Sequence, residues 1–154
     1  MRCTFWRATG GELRYFADEK LAQFATPLAK AQLGAALSMI GDKPRAEKVF
    51  RSAMDAMEDK APVALARSDF GSGLRDGAAL VTLAMETGLF KAEAPKLVTV
   101  VSRAYQSRTY TSTQEQAWML LAAHALGEDV KNTRLAINGA PVEGSLVRGL
   151  SAED

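Results

Sequence analysis

Three stretches of this chain share one make-up: each is rich in Ala, Leu and Met, nearly free of charge, and closed by a glycine. They run from Pro27 to Ile40 before Gly41, from Leu74 to Thr87 before Gly88, and from Ser112 to Leu126 before Gly127. A helix that is apolar around most of its circumference has to be buried on most sides. Charged helices lie between these stretches in sequence, so the pattern predicts inner helices alternating with outer ones, the plan of a helical toroid or solenoid. The fold class expected is mainly α, a partial α/α toroid of antiparallel helical hairpins with a short C-terminal β-ribbon.

Local signals mark the boundaries. From Glu12 to Phe24, apolar Leu13, Phe16, Leu21 and Phe24 approximate helical spacing, with Asp18, Glu19 and Lys20 on the other side. Thr26 offers an N-cap oxygen and Pro27 suits the first helical turn, where a missing N–H costs nothing. Gly41 can end that helix in the left-handed conformation, and Asp42 followed by Pro44 starts the next almost at once, which forces an antiparallel hairpin. In the second arm Ala46, Val49, Phe50, Ala53 and Met57 form a stripe, while Arg45, Glu47, Lys48, Arg51 and Asp55 face water.

Between Glu58 and Gly73 the periodicity lapses. Lys60-Ala61-Pro62 breaks the helix and Ser68-Asp69-Phe70-Gly71-Ser72-Gly73 is turn chemistry, so the stretch reads as an ordered surface loop with a helical turn at Val63 to Ala66. A second outer helix is predicted around Pro95 to Tyr105, with Leu97, Val98, Val101 and Tyr105 at helical spacing. Ser112 with Glu115 forms a capping-box pair, and Thr113 with Gln116 forms a competing one. After Gly127 the pattern changes: Thr133 to Ile137 alternates, Asn138-Gly139 favours a type I′ turn, and Val142 to Leu150 can return as a strand.

Composition narrows the function classes. With 19 Lys and Arg against 18 Asp and Glu, the formal charge is +1 and the basic residues are scattered. No nucleic-acid footprint is expected, since that needs a basic stripe. Cys3 is the only cysteine, which excludes an intrachain disulfide and a cysteine-based metal site. No apolar run reaches the roughly 18 residues of a membrane span. The start, Met1 to Trp6, lacks an apolar signal core, so either the protein is cytosolic or its targeting signal lies elsewhere.

Candidate chemistry is sparse. His124, the single histidine, lies on an Ala-rich helix with no carboxylate or cysteine at ligand spacing, and reads as a packed or capping residue rather than a base. Cys3 has no His or Asn/Asp partner in view and reads as a passive thiol. The glycine-rich run from Ser68 to Gly73 lacks the lysine and the preceding strand of a phosphate loop. Carboxylates Asp18, Glu19, Asp55, Glu58 and Asp59 are placed on solvent faces. Gln114, Glu115 and Gln116, at the mouth of an otherwise apolar helix, either line a pocket or simply cap the helix above a core Trp118.

The run Tyr110-Thr-Ser-Thr-Gln-Glu-Gln-Ala-Trp-Met-Leu-Leu-Ala-Ala-His-Ala-Leu126 resembles the last-helix signature of the thioester-containing domain in the alpha-2-macroglobulin and complement family, above all its bacterial members. Thr26 to Ala46 and Leu74 to Leu80 resemble those sequences too. The resemblance implies that residues 1–130 are the C-terminal half of an α/α toroid and that residues 131–154 form a β-ribbon leading into an adjoining β-type domain. In that family a Cys-x-Glu-Gln thioester acylates attacking proteases while the molecule closes around them. Here Cys3 is followed by Thr4-Phe5-Trp6 and Glu115-Gln116 has no cysteine two residues before the glutamate, so this segment cannot form the bond.

The resemblance therefore implies a non-enzymatic fragment of a protease trap that helps to form or shield a thioester pocket, with Tyr105, Tyr110, Gln114 and Gln116 as wall residues. No cofactor or metal is implied. Partners would be target proteases, through the parent protein, and adjoining β domains of the same chain. The location implied is periplasmic or extracellular, with a lipoprotein-type membrane anchor on the parent. A cut ring leaves apolar flanks, so copies of the isolated chain are expected to associate through the amino-terminal helices.

Two other readings compete. A tetratricopeptide-like protein-binding scaffold draws support from the Gly-Asp-Lys-Pro-Arg-Ala turn beginning at Gly41, but the glycine intervals are unequal and the Asn-Gly ribbon has no place in it. A small hydrolase would rest on His124 and a nearby hydroxyl alone.

Overall fold

Helix α2 (Pro27–Met39) begins as its sequence dictates: Thr26 Oγ1 accepts the Ala29 N–H at 3.1 Å and Pro27 fills the first turn. The computed structural model describes residues 10–58, 69–131, 135–137 and 140–142. The other elements are α1 (Gly10–Glu19), α3 (Lys43–Glu58), α4 (Gly73–Thr87), α5 (Ala94–Gln106) and α6 (Thr113–Lys131), followed by two short strands, β1 (Leu135–Ile137) and β2 (Ala140–Val142). Single 3-10 turns at Leu21–Gln23 and Lys91–Glu93 lead into α2 and α5. β1 and β2 pair antiparallel, Leu135 opposite Val142.

Gly41 at φ +82° and Gly88 at φ +70° take the left-handed conformation and end α2 and α4 at the predicted residues. The turn after Gly41 returns the chain as α3, which lies against α2. Ala46, Val49, Phe50 and Ala53 are all fully buried, so the predicted stripe is the packed face of α3. Burying a ring such as Phe50 stabilises by about 1.5–3 kcal/mol. Gly34 makes that approach close: a Cβ there would lie 2.7 Å from Phe50 Cδ2.

Helix α4 is the centre of the molecule, in contact with α2, α3, α5 and α6. Every residue from Leu74 to Thr82 is buried, as are Ala84 and Met85. The Thr82 hydroxyl stays satisfied inside by donating to Ala78 O at 3.0 Å. One hydrophobic cluster joins α2 through α6 around Ala31, Phe50, Ala78, Leu80, Val81 and Leu97. A second joins α1 to the α2–α3 hairpin around Ala17, Leu33, Leu37 and Val49. Outside it, Asp42 accepts from Arg14 at 2.8 Å and Arg45 pairs with Asp18 at 2.9 Å, tying α1 to the hairpin turn. Arg14, and then Arg45, hold the Asp42 carboxyl below the usual carboxylate range.

Several expectations change. The third inner helix is not enclosed: Leu120 is 72% exposed and Leu121 is also exposed, because the described residues cover α6 mainly on its α4 side. Gly127 does not end that helix, which continues to Lys131, since a helix tolerates an interior glycine at about 1 kcal/mol. His124 is neither packed nor capping; its side chain is exposed, 4.0 Å from Glu128. The first helix stops at Glu19 rather than Phe24. Asp18, Glu19 and Asp55 are solvent-facing as expected. Expectations for Cys3, the turn at Val63 to Ala66, Asp59, the Glu58 side chain, Asn138-Gly139 and the return to Leu150 lie outside the described residues.

Candidate functional site

The amino ends of α4 and α6 lie side by side, joined by a network of polar side chains in which Arg75, Asp76 and Glu115 are buried. Ser72 caps α4, its Oγ accepting the Arg75 N–H at 3.1 Å. The same hydroxyl donates to Glu115 Oε1 at 2.5 Å across the helix pair. On α6 the capping box forms between Ser112 and Glu115: Ser112 N–H donates to Glu115 Oε2 at 2.7 Å, and Glu115 N–H donates to Ser112 Oγ at 3.3 Å. Arg108, in the α5–α6 connection, completes the set with Nη1 2.9 Å from Glu115 Oε1.

Glu115 is 3% exposed, so its charge depends on these partners. Burial pushes its carboxyl up; the bonds from Ser72 and Ser112 together with Arg108 outweigh that and hold it below the ordinary glutamate range.

Arg75 forms the other half. A guanidinium has five N–H donors, and each finds an acceptor here. Nε donates to Asp76 Oδ1 at 2.9 Å; Nη1 donates to Asp69 O at 3.3 Å and Gln114 Oε1 at 3.2 Å; Nη2 donates to Asp69 Oδ2 at 2.7 Å and Asp76 Oδ1 at 2.8 Å. Burial works against the Arg75 charge, and Asp69 and Asp76 overcome it, so the group stays ionised. Asp69 Oδ1 also accepts the Gly71 N–H at 3.1 Å, closing a tight turn. A Cβ on Gly71 would lie 2.1 Å from Arg75 Nη2, so any larger residue there has to displace the guanidinium.

Of the residues predicted as a pocket wall, Gln114 joins the network through Arg75. Gln116 bonds back to Thr111 Oγ1 at 3.1 Å. Tyr110, 79% exposed, stands just before the α6 cap, and Tyr105, also exposed, lies near the end of α5, where its carbonyl accepts the Arg108 N–H at 3.0 Å. Tyr110, Gln114 and Gln116 thus stand at the start of α6, and Tyr105 stands near the end of α5. Sequence reasoning missed Asp69, Ser72, Arg75, Asp76 and Arg108. Opposite charges at Arg75 and Asp76, inside a helix that must be buried all round, were the signal available.

Among the described residues no group of three or more His, Cys, Asp or Glu could hold a metal ion, and no helix is long and apolar enough to cross a membrane. An open depression along the outer face of α3, lined by Glu47, Lys48 and Arg51, lies apart from the network. The network ties two helix ends and the loops before them to one another.

No protein-family model matches the chain. It is similar to the alpha-2-macroglobulin of Xylella fastidiosa strain Temecula1, 31% identical over 153 residues that make up 96% of this chain and 9% of that protein. The alpha-2-macroglobulin of Escherichia coli K12 is 31% identical over 120 residues, 78% of this chain and 7% of that one. Among solved structures, the crystal structure of Salmonella alpha-2-macroglobulin mutant Y1175G superposes with a TM-score of 0.63 and 34% identity, over 77% of this chain and 8% of that one. The chain therefore spans under a tenth of the length of these relatives.

Proposed function

Because this chain belongs to the alpha-2-macroglobulin family, we propose that it works as a non-enzymatic part of a longer bacterial protease trap. In this reading residues 1–130 are the C-terminal half of a helical toroid and residues 131–154 lead into a β-type domain, in a protein held in the periplasm or outside the cell. The wall formed by Tyr105, Tyr110, Gln114 and Gln116 borders a pocket that shields a thioester carried elsewhere in the polypeptide. The observation that carries the proposal is the rigid joint of Ser72, Glu115, Arg75 and Gln114 at the shared end of α4 and α6, next to family similarity along nearly the whole chain. A wall that must exclude water until an attack arrives needs fixed helix ends, and the joint supplies them.

A trap that encloses a protease blocks large substrates more than small ones. The test incubates trypsin with the polypeptide that carries this chain, and separately with the 154-residue chain. The longer polypeptide should suppress cleavage of a folded protein substrate while sparing a small peptide substrate, and the chain alone should change neither. Loss of both activities, of neither, or turnover of an ester or peptide by the chain alone would overturn the reading. For the pocket, Tyr110→Ala in a polypeptide bearing the thioester should speed thiol release in water; an unchanged rate would remove Tyr110 from the wall.

A further inference from the structure

Helix α1 brings little to the interior. Ala17 is its one buried residue, whereas in α4 every residue from Leu74 to Thr82 is buried. The apolar contacts of α1 form a cluster of their own, with Ala17, Leu33, Leu37 and Val49 at the centre and Leu13, Leu21 and Phe24 half-buried at its edge. Phe24 also packs edge-on against Phe16, ring centroids 5.9 Å apart, so the chain from α1 through the 3-10 turn folds back on itself. Beyond it, exposed Ala25 lies between extended backbone at Phe24 and at the α2 cap Thr26. A segment with so few buried apolar groups opens at a lower free energy than the core, and as a unit.

Charge does much of the fastening. Arg14 and Asp18 stand one helical turn apart on α1, and Asp42 and Arg45 stand three residues apart where α3 begins. The two sets close an alternating chain. Arg14 Nε donates to Asp42 Oδ2 at 2.8 Å, Arg45 Nη1 donates to the same oxygen at 3.1 Å, and Arg45 Nε and Nη2 both reach Asp18 Oδ2 at 2.9 Å. Arg14 and Asp18 are exposed, so salt reaches these pairs, each worth at most about fivefold in an equilibrium constant. We infer that residues 10–24 form a strap that lifts off the α2–α3 hairpin in one piece about Ala25, and that this four-charge clasp lets ionic strength set how often it opens.

The open strap bares Leu33, Leu37 and Val49 on the hairpin, while the larger cluster around Phe50, Leu80 and Leu97 keeps α2 to α6 together. Among the described residues that larger cluster draws nothing from α1. The order of charges also directs closure. With α1 reversed, Arg14 would face Arg45 and Asp18 would face Asp42, setting like charges together, so the strap returns in one orientation. The inference concerns contacts within this chain and stands whether or not the chain works in a protease trap.

The test is amide hydrogen exchange of the 154-residue chain, read by peptide mass spectrometry at two concentrations of sodium chloride. Between about 0.01 M and about 1 M the screening length falls from about 30 Å to about 3 Å. Amides of residues 14–19 should exchange on the order of a hundredfold faster than those at the centre of α4, and severalfold faster still in high salt. Arg14→Gln with Asp18→Asn removes both α1 partners of the clasp and leaves the hairpin untouched. The strap should then exchange at the fast rate in either salt, while α4 keeps its own rate. A thiol at the buried position 17, from Ala17→Cys with Cys3→Ser, should react with neutral iodoacetamide at a rate that rises with salt in step with exchange. Protection of residues 14–19 equal to that of α4, a salt response that survives in the Arg14→Gln, Asp18→Asn variant, or acceleration spread over all the helices would overturn the inference.

Discussion

Ser72 and Glu115 are 43 positions apart in the chain, yet the hydroxyl of one donates to the carboxylate of the other at 2.5 Å, and that bond makes the amino ends of α4 and α6 a single unit. Ser72 also caps α4 and Glu115 also closes the capping box of α6. Each group serves its own helix and the contact between helices at once.

Acid should loosen this joint in a defined direction. Glu115 has a carboxyl held below its ordinary value near 4.5, so the unfolded chain takes up the proton first. The stability it contributes is therefore full above that value and is lost as pH falls through the lower, folded one. Glu115→Gln should cost about 1–3 kcal/mol at neutral pH. Urea midpoints measured from pH 7 to pH 3 should converge between the native chain and Glu115→Gln as acid is added. A gap that persists unchanged at pH 3 would show that the charge is not what matters.

Arg75 and Asp76 make a harder case, because both are buried. Arg75→Met leaves Asp76 with its fully buried carboxylate deprived of the guanidinium, a loss of about 3–5 kcal/mol. Replacing both, Arg75→Met with Asp76→Leu, should be less damaging than the sum of the single changes by roughly 0.5–3 kcal/mol. Denaturant midpoints of the full cycle measure the difference. Simple additivity would mean that the pair acts through other partners.

The contrast between α4 and this network shows how far the sequence could be read. Periodicity and the glycines at 41 and 88 mark the central helices, because burial and left-handed φ are local constraints. The network eluded that reading since Ser72, Arg75 and Arg108 meet Glu115 and Gln114 only when α4 and α6 come together, and turn residues such as Asp69 and Gly71 look alike whether or not a guanidinium lies beside them. Gly127 misled for a related reason. Its neighbours are helix formers, and nothing local separates a glycine that ends a helix from one that is merely tolerated.

That difference is measurable. Gly127 has open space where a Cβ would go and Gly34 has the Phe50 ring. Gly127→Ala should stabilise by up to about 1 kcal/mol through helix propensity. Gly34→Ala gains the same propensity but drives a methyl into a buried ring, and should destabilise by about 1–3 kcal/mol net. Thermal melts of the two variants should shift in opposite directions. A higher melting temperature for Gly34→Ala would mean that α2 and α3 can separate without loss, contrary to the packing of Phe50.

The exposed face of α6 decides how the isolated chain behaves in solution. Ala117, Leu120, Leu121 and His124 recur at helical spacing along one side, and each is exposed. Tyr15, Phe16, Met39 and Ile40 expose a second apolar area on α1 and at the end of α2, the amino-terminal helices through which the sequence predicts association. Apolar patches of a few hundred Å² favour self-association. The 154-residue chain should therefore sediment as more than a monomer at high concentration. Leu120→Lys with Leu121→Gln tests one face and Met39→Lys with Ile40→Ser the other, and the pair that restores a monomer locates the contact. The α6 face has the more continuous stripe, so its variant should have the larger effect; a native chain that is monomeric throughout would show that neither face is sticky enough to bind a copy of itself.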